Sequence, residues 1–178
     1  MTRASRLFRN RSGNAAAEMA LVLPLLLILM MGSAEIGNYF MNEHTLVKAV
    51  RDGARFAARQ SFTNYSGCSG APGGTVVADT RNVVVNGYLS GGTRMTPGIV
   101  PTDINLTVSC VSSAGGQNML GIYRSRFGGT CNGSSAGGCA QVVTVTAALN
   151  YRPILSNFGF RGVGKRLNAT SQAAVTGA

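Results

Sequence analysis

The sequence predicts an α+β fold, with a long N-terminal helix packed on a small antiparallel sheet domain. From residue 15 to about residue 61 the chain is built mostly of good helix formers, and Pro24 is its only proline there. The first part of that stretch is a dense apolar block, residues 19–34, with hardly a polar side chain except Ser33. About 115 residues rich in Gly, Ser, Thr and Asn follow the helical region, crossed by short alternating apolar runs, enough for one compact core.

A continuous helix over residues 15–61 is roughly 70 Å long. A small globular domain cannot cover that length, so half is expected in lipid and half on the domain. The sixteen residues of the apolar block fall short of the ~20 that span a bilayer. Ala15, Ala16 and Ala17 make up the difference if Glu18 is tolerated. A lone carboxylate at that depth costs about 2.5–3.5 kcal/mol. Pro24 removes the N–H that would bond the Ala20 carbonyl, and is expected to kink or locally melt the helix. Both features break the rules for a plain anchor, and such violations are where function tends to sit. A secretory signal peptide is the alternative, with Gly32-Ser33-Ala34 as its cleavage site and a secreted or membrane-anchored binding domain beyond Ala34. Against it, Glu18 interrupts the start of the apolar run, and the helical pattern continues through the supposed cut.

The formal charge of +10 invites a nucleic-acid partner. However, Arg3, Arg6, Arg9 and Arg11 precede the apolar block, where positive charge marks the cytoplasmic side of a membrane segment. The chain has no Trp and no nucleic-acid motif, so no nucleic-acid partner is expected. A second basic group, Lys48, Arg51, Arg55 and Arg59, is spaced by three and four residues and forms one stripe along the helix. Val47, Val50, Ala54 and Ala57 flank it on an apolar side. The stripe is either a solvated face, with Asp52 pairing to Lys48 or Arg55, or a contact for anionic lipid or for acidic groups of a neighbour. Glu35 and Glu43 pose the same choice. His44 is the only histidine, without clustered carboxylates or a nucleophile, so no catalytic site is expected.

The four cysteines, Cys68, Cys110, Cys131 and Cys139, all follow the apolar block. An even count in Gly-rich surroundings points to two disulfides formed in an oxidising compartment. Zinc is the competing reading, but there is no C-x-x-C pair and His44 lies far upstream. No metal or cofactor is expected.

Residues 66–74 (SGCSGAPGG) end the long helix in a turn or linker. Residues 75–89 read as a short helix burying Val76, Val77, Val83, Val84 and Tyr88, with a strand across 82–88 as the alternative because valine is a poor helix former. Residues 103–110 (DINLTVSC) alternate Ile104, Leu106 and Val108 with polar neighbours, as a half-buried strand does. Residues 141–151 alternate Val143, Val145 and Ala147 in the same way, and 165–175 offer a third strand. A Gly/Ser-rich loop, 111–138, joins the first two. If those two strands pair, Cys110 and Cys139 fall at one end of the hairpin, which favours Cys110–Cys139 and Cys68–Cys131 among three possible connectivities.

The run G-N-A-A-A-E-M-A-L-V-L-P, Gly13 through Pro24, resembles the cleavage site of type IV prepilins. With G-S-A-E-I-G and A-V-R-D-G-A-R-F-A-A, it is similar to TadE-like minor pseudopilins of the tight-adherence (Tad/Flp) pilus system. The likeness is specific over roughly residues 11–60 and looser over V-V-T-V-T-A-A-L-N-Y. It departs at Met19, where the family usually has an aromatic or another bulky apolar group. The resemblance implies a leader of residues 1–13, cut by a prepilin peptidase between Gly13 and Asn14. It also implies a pilin-like fold, with a helix over 14–62, transmembrane in its apolar half, packed on the small sheet of an exported domain over 63–178. Glu18, fifth in the mature chain, would neutralise the terminal amine of a neighbouring subunit, and Pro24 belongs to the same assembly segment. The partners implied are other pilin subunits, the pilus assembly machinery and the inner membrane, with the domain on the periplasmic or extracellular side. The implied role is pilus assembly for adhesion, without enzymatic activity.

Overall fold

Helix α1 (Arg11–Ala58) is 48 residues long and continues through Pro24 in the computed structural model, which describes residues 11–65, 67–111, 113–114, 117–118, 140–159 and 164–177. The proline therefore removes one donor without melting the helix locally. The helix stops at Ala58, short of the expected residue 61. Beyond Ala58 the bonding tightens to a turn, Gln60 N–H to the Ala57 oxygen at 3.0 Å, and distant groups meet the last carbonyls, which lack donors of the regular helix. The Tyr65 hydroxyl donates to the Ala57 oxygen. The Thr176 N–H reaches the Ala58 oxygen at 2.8 Å, and its hydroxyl does so at 3.3 Å. Burial pushes the Tyr65 phenol up to about 12, so it stays a neutral donor.

The second helix, α2 (Val76–Asn86), resolves the choice between helix and strand in favour of helix. Its buried residues are Val76, Thr80, Val84 and Val85, a helical spacing that overrides the low propensity of valine. Gly87 ends it in the left-handed region (φ 77°), a conformation that L side chains rarely adopt. The chain turns outward there, so Tyr88 is exposed rather than buried as expected. Val77 and Val83 are only partly buried, on the flanks of the buried stripe.

All three expected strands form. β1 (Ile104–Val111) leads into a short ladder of β2 (Ser113–Ala114) with β3 (Gln117–Asn118), at the start of the expected long loop. β4 (Ala140–Asn150) and β5 (Arg166–Ala174) complete an antiparallel sheet of order β1-β4-β5. Leu106 pairs with Val145, and Val145 with Ser171. Ile104, Leu106 and Val108 share the buried face with Val143, Val145 and Ala147, as the alternation predicted.

The second half of α1 packs on β4, β5 and α2. Leu46, Ala49, Val50, Ala54 and Ala57 enter the core. Gly53 allows the close approach of the two helices, since a Cβ there would lie 2.3 Å from Val84 Cγ2. Gln141, fully buried at the start of β4, donates to the carbonyls of Tyr65 and Gly67 and ties down the turn after α1.

The cysteine pairing differs from the expectation. Cys68 is bonded to Cys110, which overturns both Cys110–Cys139 and Cys68–Cys131. Cys110 is two residues beyond Val108, on the strand face that meets the segment after α1. The Val108 N–H already donates to the Gly70 carbonyl there at 2.7 Å. Cys131 and Cys139 lie outside the described residues.

Candidate membrane and assembly interface

The apolar half of α1 has no core of its own to join. Ten large apolar side chains between Met19 and Met30 are 45–80% exposed. Leaving them in water would cost on the order of 20 kcal/mol, at about 1.5–3 kcal/mol per side chain. The helix is long and apolar enough to cross a membrane. Glu18 is exposed near the start of this half, and Gly13 has open space around its Cα. Asn14 lies in the helix.

Beyond the domain junction, Lys48, Arg51, Arg55 and Arg59 are all exposed along one edge of α1. Asp52 approaches Arg55 at 3.9 Å with both side chains largely in solvent, a pair worth little stability. Lys48 and Asp52 also border an open hollow of about 450 Å³ shared with Val83, Asn86, Tyr88 and Met95. Among the described residues, no group of three or more His, Cys, Asp and Glu is placed to hold a metal.

The most tightly held polar cluster was not singled out from the sequence. Glu35, the first residue after the apolar block, is 8% exposed. Its carboxylate accepts from the Tyr151 hydroxyl, from the Leu155 N–H at 3.0 Å and from the Ile154 N–H at 3.3 Å. The Asn38 amide donates to the Tyr151 oxygen at 2.7 Å. Tyr39 meets the Tyr151 ring edge-on, with centroids 5.1 Å apart. Burial first, and then the bond to Glu35, hold the Tyr151 phenol above its ordinary range. The cluster locks α1, at the end of its apolar half, to the segment after β4. The signal in sequence was a glutamate directly behind an apolar block, but nothing local pointed to a partner 116 residues away.

Residues 13–55 match the family model described as TadE-like protein. The chain carries a TadE-like segment. It begins at Gly13, takes in Glu18, Pro24, Glu35 and Gly53, and ends on α1 at Arg55. The matched residues thus cover the apolar half and most of the domain-packing half of the helix, and none of the sheet. Neither the curated proteins nor the solved structures yield a match. The TadE-like segment contains both kinds of contact described above. Its first half is apolar and uncovered, and its second half places Ala49 and Gly53 in the core.

Proposed function

We propose that this chain is a minor pilin or pseudopilin taking part in assembly of a Tad-type adhesion pilus. It is inserted in the inner membrane with its N-terminus cytoplasmic and its sheet domain outside. A prepilin peptidase cuts it between Gly13 and Asn14. The observation that carries this reading is the uncovered apolar half of α1 within a TadE-like segment. Such a surface requires lipid or the equivalent helices of other subunits. Glu18 has a role in that setting, because a carboxylate and a neighbour's terminal amine attract strongly where water is excluded.

The basic stripe fits a protein neighbour better than lipid. Lys48 is fourteen residues beyond Ala34, about 21 Å along the helix axis at ~1.5 Å per residue. Headgroups extend only about 6 Å beyond the hydrocarbon. Acidic groups on adjoining subunits are the matching partner for Lys48, Arg51, Arg55 and Arg59.

The N-terminal mass of the protein from native membranes tests the processing. A chain beginning at Asn14 is expected. One beginning at Glu35 identifies a signal peptide, and one beginning at Met1 an uncleaved anchor; either result overturns the pilin reading. Gly13→Leu is expected to leave a longer, membrane-retained precursor.

A further inference from the structure

The chain leaving β4, residues 151–159, is tied to α1 at one height. Its backbone N–H groups at Ile154 and Leu155 bond the Glu35 carboxylate, one residue past the apolar block. A bilayer covering residues 15–34 therefore has its polar boundary at the level of this segment. The headgroup layer, about 6 Å deep, corresponds to roughly four residues of helix rise.

From that anchor the chain turns apolar side chains outward. Ile154 is 68% and Phe158 70% exposed, with Phe158 on the single turn Ser156–Phe158. Ile36 on α1 is exposed at the same level. The root of the loop is basic: Arg152, Lys165 and Arg166 are all exposed. The Tyr151 N–H bonds the Lys165 carbonyl at 2.9 Å, and Asn150 pairs with Arg166, so both strands deliver charge to one place. Residues 151–166 contain no Asp or Glu. Outward apolar side chains within a basic collar are what a lipid surface selects.

We propose that residues 152–158, with Lys165 and Arg166 beside them, form a second membrane contact, seated on the same bilayer that α1 crosses. Ile154 and Phe158 enter the boundary between headgroups and acyl chains, and Arg152, Lys165 and Arg166 face anionic headgroups. Glu35 is the joint that makes the helix and this segment one rigid foot, which sets the orientation of the sheet relative to the membrane. The inference rests on the reading of α1 as membrane-spanning. A neighbouring subunit is the competing occupant. Lipid is favoured because this segment is tied to the end of the apolar block and its exposed charges, Arg152, Lys165 and Arg166, are all basic, the Glu35 carboxylate being buried.

The chain has no tryptophan, so single replacements act as reporters. The full chain would be reconstituted in vesicles of phosphatidylcholine and phosphatidylglycerol containing lipids with a quencher near the headgroup or deeper in the acyl chain. Phe158→Trp reports the loop and Leu29→Trp the apolar half. Tyr88→Trp, beside Lys48 and Asp52, reports a site far from the surface. Phe158→Trp is expected to be quenched by the shallow probe at least about twofold more than Tyr88→Trp, and less so without the anionic lipid. Replacing Arg152, Lys165 and Arg166 by serine should have the same effect as removing that lipid. If the deep probe quenches Leu29→Trp while Phe158→Trp responds no more than Tyr88→Trp, the proposal is overturned and the spanning helix stands. If Leu29→Trp is itself not quenched, the membrane reading fails and the proposal with it.

Discussion

Glu35 is buried as a carboxylate because three donors meet it, one hydroxyl and two backbone amides. Removing it takes the carboxylate from all three and leaves the Tyr151 hydroxyl only the longer contact to the residue 35 carbonyl at 3.3 Å. Glu35→Ala is therefore expected to lower stability by about 2–3 kcal/mol, and Tyr151→Phe by about 1–2 kcal/mol. Denaturant unfolding of the full chain in micelles, followed by tyrosine circular dichroism, measures both. A Glu35→Ala midpoint equal to wild type would mean that the clamp contributes nothing. In sequence, Glu35 and Glu43 looked alike as isolated acids on a helix. Only the return of the chain at Tyr151 distinguishes them.

At the scale of elements, the glycines of α1 should respond differently to one substitution. Gly37 has open space where a Cβ would stand, whereas at Gly53 that Cβ would run into Val84 on α2. Gly37→Ala is expected to stabilise by up to about 1 kcal/mol through helix propensity. Gly53→Ala should destabilise by about 1–3 kcal/mol, because the helices must separate. Val84→Ala, added to Gly53→Ala, should recover part of that loss. Equal effects of alanine at both glycines would contradict the close approach of α1 and α2. The disulfide acts on the next elements along the chain, where Cys68 and Cys110 tie the turn after α1 to β1. Cys68→Ser is expected to cost about 2–4 kcal/mol. Peptide mapping without reduction should recover Cys68 joined to Cys110, and a Cys110–Cys139 peptide would refute the pairing. The strand alternation made β1 and β4 legible in sequence. It said nothing about which segment lies against Cys110.

Across the whole molecule, α1 divides the chain into an uncovered apolar half and a folded domain. The proposed role of Glu18 belongs at this scale, because its partner would be another subunit. Glu18→Ala should be cleaved and inserted normally but should fail to co-purify with pilin partners from cross-linked membranes. Stranding the neighbour's buried amine would cost roughly 3–5 kcal/mol, enough to weaken association by more than about a hundredfold. Partner recovery equal to wild type at matched expression would remove the main reason for placing that carboxylate in an assembly interface.

The sequence by itself determined the long helix, its apolar first half, the TadE-like segment and the inward residues of β1 and β4. These are periodic or local signals, written in neighbours three, four or two positions apart. Tertiary structure decided the rest. It chose helix over strand at residues 82–86, because packing on α1 rewarded a buried stripe of valine and threonine. It exposed Tyr88, joined Cys68 to Cys110, buried Gln141 beneath the turn after α1, and brought Tyr151 to Glu35. Each of these depends on which surfaces meet across 42 to 116 residues or a change of direction. Such meetings are settled by the fit of the packed elements, and local propensity does not record them.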